Sequence, residues 1–256
     1  MVQWLRFHHN GESKFGKLTG ETISVCQGDM FSDAQEIGEN HALSEVKLDI
    51  PCCPSKIVAL WNNSRSAAEK QGLSQPDEPL FFIKASNTYL PSGGVIRKPQ
   101  SYDGRVLYEA ELGVVIGKQC ANIAEAEAAD CIFGYTCVND VTALQILNED
   151  ESFAQWARAK GFDTFGPFGP VIVTGVDMSG SSIRAELNGR ERQNYPVSDL
   201  FMGPVELVSR ISKCMTLYPG DIISCGTGPG ALPMKPGATI EIIIDGIGAL
   251  SNTYDV

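Results

Sequence analysis

The chain has no C-x-x-C pair, no P-loop, no dinucleotide fingerprint and no apolar run approaching the length of a membrane span. The eight cysteines are scattered, apart from the adjacent pair Cys52-Cys53. Neither a zinc knuckle nor a thioredoxin-like motif is therefore on offer, and buried free thiols are the expectation. Gly113 to Lys118 is one residue short of P-loop spacing, and Gly226-x-Gly228 fails the G-x-G-x-x-G pattern. Basic charge is scarce: 20 Lys and Arg face 31 Asp and Glu, a formal charge of −11. That excludes a sequence-independent nucleic-acid binder, which needs a basic face to displace phosphate counterions. An anionic substrate stays open, because a bound cation reverses the potential locally. The opening Met1-Val2-Gln3-Trp4-Leu5-Arg6-Phe7 lacks a basic segment followed by an apolar one. A cytoplasmic protein with no membrane partner is expected. The sequon at Asn62-Asn63-Ser64 then carries little meaning.

Hydrophobic residues make up 43% of the 256 residues, ordinary for a globular protein, and 26 glycines and 14 prolines punctuate the chain. Short apolar runs of strand length recur at 57–60, 80–83, 112–116, 171–173, 222–225 and 239–244. Helical patterns are few: 66–71, 123–129, 143–150 and 203–214. Strands do not alternate with long helices, which disfavours a doubly wound parallel sheet. The expectation is a mixed, mainly β fold with few short helices. Residues 1–50 read as a small β-rich N-terminal domain, with Asn10-Gly11 as a hairpin signal, and 51–256 as the catalytic domain.

The sharpest chemical feature is Tyr108-Glu109-Ala110-Glu111-Leu112-Gly113-Val114-Val115-Ile116-Gly117. On a strand, Glu109 and Glu111 share one face. Two carboxylates at the head of an apolar strand repel one another and lose hydration, so they need a cation, an arginine or a shared proton. On that spacing alone a solvated strand face is the commoner reading. Gly134-Tyr135-Thr136-Cys137-Val138-Asn139-Asp140-Val141 adds a third carboxylate, Asp140, which could equally be a capping residue. An all-oxygen set suits magnesium, manganese or calcium. His8, His9 and His41 all lie far from these motifs in sequence, which disfavours zinc. Lys160 stands at the head of the glycine-, proline- and aromatic-rich stretch Ala159-Lys160-Gly161-Phe162-Asp163-Thr164-Phe165-Gly166-Pro167-Phe168-Gly169-Pro170, a shaped loop holding a cation or a surface lysine before an ordinary turn. Tyr218-Pro219-Gly220-Asp221 leads through a strand into Gly226-Thr227-Gly228, a loop that could present N–H groups and Thr227 to a carboxylate, or a plain turn.

In this order, the pieces resemble the fumarylacetoacetate hydrolase family from about Ile57 to the end, and the first fifty residues resemble the small N-terminal domain of short bacterial members. The resemblance implies a mixed β-roll, a homodimer, and a magnesium or manganese site acting on a small 2-oxo carboxylate. It matches Glu109, Glu111 and Asp140 to metal ligands and Lys160 to the active-site lysine. Thr227, Gly226 and Gln193 match positions near the substrate, with an exposed hairpin as the other reading of Arg192 and Gln193. Phe82-Ile83-Lys84-Ala85-Ser86-Asn87 looks similar to a strand of members that process oxo-dicarboxylates from aromatic-acid breakdown, and adds Lys84 to the substrate-binding candidates.

Two departures matter. Hydrolytic members carry a His–Glu pair in Gly-Leu-Asn-Tyr-x-x-His-x-x-Glu; here Glu69 is kept, but the histidine position holds Ser66. The arginine that follows Asn-Asp-Val in the family is replaced by Leu144, which hints at less demand for a second carboxylate. Hydrolysis needs a base to deprotonate water, worth about 10²–10⁴ in rate, and serine cannot serve near neutral pH. Decarboxylation or keto–enol isomerisation needs no such water and is preferred. Hydrolytic C–C cleavage of an acylpyruvate by Glu69, and a non-catalytic small-acid-binding relative, are the alternatives.

Overall fold

The computed structural model describes residues 1–255 and is mainly β, with mixed sheets and few short helices. Strands Val2–His9 and Glu12–Thr19 form the hairpin signalled by Asn10-Gly11. Both turn residues have positive φ, 50° and 83°, which asparagine and glycine tolerate and which matches the twist of the paired strands. Thr22–Gln27 and Gln35–Ala42 extend this meander. Residues 49–56 carry no regular secondary structure. The opening strand also pairs with Gly166–Thr174, so the strands of the first fifty residues join the sheet that carries the acidic cluster.

At the centre of that sheet lies Ala110–Ile116, buried along its whole length. Its neighbours are Ile132–Asn139 and Ile222–Ser224, both antiparallel to it; beyond Ile222–Ser224 come Ile57–Trp61, parallel, and Leu80–Lys84. A strand covered on both faces reads as a continuous apolar run, as Leu112 to Ile116 does. Leu112, Val114 and Ile116 join one core cluster with Ile240, Ile242 and Leu250. Those three belong to a second sheet built from Arg190–Pro196, Ser182–Leu187, Ala238–Ile244, Gly248–Asp255 and Val95–Arg97. Val115 joins another cluster with Ile57, Phe168 and Ile222. Each such buried side chain contributes about 1.5–3 kcal/mol, and together they make the sheet a rigid mount for whatever projects from its strand ends.

The helices are shorter than the periodicity predicts: Glu125–Ala128, Leu144–Leu147 and Pro204–Ser212. Arg65–Gln71 matches its expectation closely because local chemistry marks both ends. Ser64 Oγ accepts from Ala67 N at 3.1 Å, and Gly72 (φ 67°) closes the C-terminus. One expectation needs correction in part: Lys160 closes a short helix, Trp156–Lys160, and heads the irregular stretch 161–165, but the Gly-Pro-Phe-Gly-Pro run expected in the same loop is the start of strand Gly166–Thr174. No helix among the described residues is long and apolar enough to cross a membrane.

Candidate active site

The register of two strands assembles the acidic cluster. Ala110 pairs with Asn139, so the residues just beyond, Glu109 and Asp140, meet at the same sheet end. Asp140 N donates to Glu109 O at 3.0 Å, and Glu109 N donates to Asn139 Oδ1 at 3.0 Å, which locks the junction. Glu111, one residue into the strand, joins them: the three carboxylates each offer an oxygen, all within 4.8 Å of one another.

Glu111 and Asp140 are fully buried, and Glu109 keeps slight exposure. Glu111 Oε2 accepts from Ser224 Oγ at 2.5 Å and from Gly226 N at 2.8 Å. Gly226 aims that N–H from a backbone with φ 92°, a conformation closed to most L residues. Burial, with the nearby charges of Asp140 and Glu109, pushes the Glu111 carboxyl up to about 8. Glu109 is raised as well by burial, which Lys160 only partly offsets.

Two buried ammonium groups answer this charge. Lys160 Nζ donates to Asp140 Oδ2 at 2.5 Å and to Glu109 Oε2 at 2.8 Å. Burial alone would lower its pKa; Asp140 and Glu109 outweigh that and hold it above the usual lysine range. Lys84 Nζ lies 2.6 Å from Asp140 Oδ1 and donates to Lys160 O at 2.8 Å. Burial lowers the Lys84 pKa despite Asp140. For Asp140 the balance runs the other way: the two lysines overcome burial and lower its pKa.

One group is left over. Glu111 Oε1 is buried with no hydrogen-bond partner. A buried carboxylate oxygen without a partner is costly, and here it belongs to a converging all-oxygen set. That donor set fits a hard divalent cation such as magnesium or manganese, not a softer metal.

Glu109, Thr142 and Lys160 line a cavity of about 500 Å³. Trp61, Phe82 and Trp156 supply an aromatic wall, with Phe82 stacked on Trp156 at 5.1 Å and Lys160 Nζ 5.2 Å from the Phe82 ring centre. Residues 227–231 form another side of the cavity.

The nine candidate site residues separate into groups. Glu109, Glu111, Asp140, Lys160 and Lys84 come together, and Thr227 lines the cavity. Lys84, though, is buried behind Asp140 and does not line the cavity, so it acts on the carboxylates and not on a ligand directly. Gln193 is likewise set back: its Oε1 accepts from Ala110 N at 3.0 Å, and its Nε2 donates to Thr227 Oγ1 and Gly228 O. It braces the glycine loop against the acidic strand, and its only buried companion on Arg190–Pro196 is Tyr195. Gly226 serves through its N–H to Glu111. Glu69 is exposed and does not line the cavity. On its helix, Ala67, Lys70 and Gln71 share the cavity face at i, i+3 and i+4 spacing, and Glu69 falls off it. Ser66, where the resemblance leads one to expect a histidine, donates to Asp199 Oδ2 at 2.8 Å. Leu144 does line the cavity.

Sequence reasoning missed three contributors. Thr142 Oγ1 donates to Glu109 Oε1 at 2.8 Å, Ser224 binds Glu111, and the aromatic wall gathers rings from three distant segments. Thr142, two residues after Asp140, was the most accessible of these to inspection.

A mainly β fold carrying a buried, lysine-capped acidic cluster beside a cavity is the arrangement of a candidate metal-dependent active site, and comparison with known proteins gives the family. The profile described as Fumarylacetoacetate (FAA) hydrolase C-terminal matches residues 56–254, and the chain belongs to that family. A second profile, Rv2993c-like, N-terminal, matches residues 3–51. Oxaloacetate tautomerase YisK of Bacillus subtilis is 37% identical over 255 residues, covering 89% of this chain and 84% of the relative. The structure of 2-hydroxyhepta-2,4-diene-1,7-dioate isomerase from Mycobacterium marinum matches with TM-score 0.91 and 34% identity, covering 100% of this chain and 98% of that one. Fumarylpyruvate hydrolase from Pseudomonas aeruginosa, in complex with Mn2+ and pyruvate, matches with TM-score 0.74 and 26% identity over 81% of this chain and 91% of that one.

Proposed function

We propose that the protein is a divalent-metal-dependent enzyme that isomerises the keto and enol forms of a small 2-oxo or 2,4-dioxo carboxylate, and decarboxylates substrates with a carboxylate on the adjacent carbon. The observation that carries this reading is the make-up of the cavity. A carboxylate cluster suited to a hard cation adjoins a buried lysine, while no histidine lines the cavity and Glu69 faces elsewhere. All three histidines lie on strands Val2–His9 and Gln35–Ala42. Removing water as a reactant removes the need for a base to activate it.

Glu109, Glu111 and Asp140 would hold magnesium or manganese, which when bound supplies a Lewis acid for the 2-oxo group. Lys160 keeps its proton under the pull of Asp140 and Glu109, and so presents fixed positive charge where negative charge develops on the substrate oxygen. Thr227 and the glycine loop after it, which line the cavity, would take the substrate carboxylate. Gln193 holds that loop in register with Ala110; Trp61, Phe82 and Trp156 offer an apolar wall to the substrate's carbon chain, and the proton exchanged between carbon and oxygen is carried by solvent water that is not consumed. The family resemblance supports a homodimer working in the cytoplasm.

The test uses metal-stripped protein with oxaloacetate and acetylpyruvate, with and without magnesium or manganese. Decay of the oxaloacetate enol, carbon dioxide and pyruvate are each followed, with Glu109→Ala as control. Metal-dependent loss of the enol, absent in the variant, is expected. Pyruvate release from acetylpyruvate at a comparable rate would overturn the reading in favour of hydrolysis.

A further inference from the structure

Charge is nearly balanced in the cluster, of which Glu109 and Lys160 reach the cavity. Three carboxylates face two ammonium groups, and a divalent cation would leave a single positive charge there. The 2-oxo carboxylate head of a substrate uses that charge. A second carboxylate, further along the substrate, would lie in a cavity walled by aromatic rings, by Leu144 and by neutral polar side chains such as Asn62, Gln71 and Asn148, none of which carries a positive charge. An anion against such a wall is costly without a counter-charge. Lys160 and Lys84 cannot supply it, because both are already paired with Asp140.

The other cation lining the cavity is Lys70. It lies in the last turn of helix Arg65–Gln71, on the face shared with Ala67 and Gln71. Among the described residues its ammonium has no ion-pair or hydrogen-bond partner. In this acidic chain, Arg65, Arg158 and Arg210 are engaged by a ring face or a carboxylate. Other unpaired lysines, Lys118 and Lys235 among them, do not line this cavity, so Lys70 is set apart by its place on the cavity wall. We infer that Lys70 receives the second carboxylate of a 2-oxo dicarboxylate and is the specificity-determining residue of this site, an assignment that rests on the function proposed above. The loss of the family's arginine at Leu144 then does not mean indifference to a second carboxylate. The cation has moved from the segment after Asp140 to the helix after Ile57–Trp61. Because Lys70 keeps its side chain exposed, it can follow dicarboxylates of slightly different length.

The experiment is calorimetric binding to the full chain loaded with manganese, using 2-oxoglutarate and 2-oxovalerate, which match in carbon number and differ in the second carboxylate. Oxalate, which needs only the cation and the floor of the cavity, is the reference. Wild type should prefer 2-oxoglutarate, and the preference should weaken at high salt. Lys70→Gln should cut that preference by roughly tenfold, Lys70→Arg should keep most of it, and the loss should be confined to the dicarboxylate. An unchanged preference in Lys70→Gln, or equal weakening of both ligands, overturns the assignment of Lys70 alone while oxalate still binds. If none of the three ligands binds the manganese-loaded protein, the function proposed above falls, and this assignment with it.

Discussion

Replacing Glu111 by glutamine tests whether this buried carboxylate is built to meet a cation. In the glutamine variant one amide oxygen can keep both donors, Ser224 Oγ and Gly226 N, while the amide nitrogen takes the place of the unpartnered Oε1. The substitution thus removes charge with little change of shape. Burial and the neighbouring carboxylates raise Glu111 to about 8 from an ordinary 4.5. A carboxyl raised on folding binds more protons in the folded state than in the unfolded one between those two values. Its contribution to stability is therefore full at low pH and is lost as pH rises towards 8. For the metal-free protein, the loss from pH 6 to pH 8 is about 2 kcal/mol, or roughly 4–8 °C in Tm for a chain of this size. Lys84, lowered by burial, acts in the opposite direction, but it is common to both proteins and cancels when they are compared. Asp140, lowered by Lys160 and Lys84 against its burial, makes a contribution that is constant across this window. Thermal melts in chelator at pH 6, 7 and 8, repeated with manganese, provide the assay. Wild type should lose stability with rising pH and regain it with manganese at pH 8. Glu111→Gln should show a shallower slope and little manganese effect. Equal slopes, or equal stabilisation by manganese, would refute the reasoning.

Other outcomes follow from the same geometry. Lys160→Met removes the ammonium that bridges Glu109 and Asp140, and should lower enol turnover by about 10²- to 10³-fold in saturating manganese; a loss below tenfold would take Lys160 out of the chemistry. Glu69→Gln, on the exposed side of its helix, should leave turnover within about twofold, and a collapse of activity would mean that this helix turns Glu69 inward in the working enzyme. Asp221 accepts from Ser55 N and Oγ, Lys56 N and Nζ, and Tyr218 N, tying the 49–56 connection to the turn before Ile222–Ser224. Urea unfolding of Asp221→Ala should show a loss of about 3–5 kcal/mol, and a loss under about 1 kcal/mol would contradict that role.

Legibility followed burial. Strands covered on both faces, such as Ala110–Ile116 and Ile222–Ser224, stand out as apolar runs. Gln35–Ala42 escaped notice, and Arg190–Pro196 showed only as the alternative of an exposed hairpin at Arg192 and Gln193, because most of their side chains face water and leave no apolar pattern to read. Short helices such as Leu144–Leu147 were overextended for a related reason: composition favours a helix beyond the point where packing ends it. At the site, residue type was readable and orientation was not.

By itself the sequence determined which chemistry was available: three carboxylates on two strand motifs, Lys160 and a glycine loop, with Ser66 where the family resemblance leads one to expect a histidine. Those are statements about single residues and their near neighbours. Tertiary structure alone decided which groups meet. Pairing Ala110 with Asn139 brought Glu109 to Asp140, and Lys84 came in from a strand 56 residues before Asp140 in the chain. Packing turned Gln193 inward as a brace, left Glu69 in solvent and set the unpaired Lys70 on the cavity. The physical reason is that a side chain's charge and partners depend on what lies within a few ångströms of it, and for these residues those neighbours are distant in sequence.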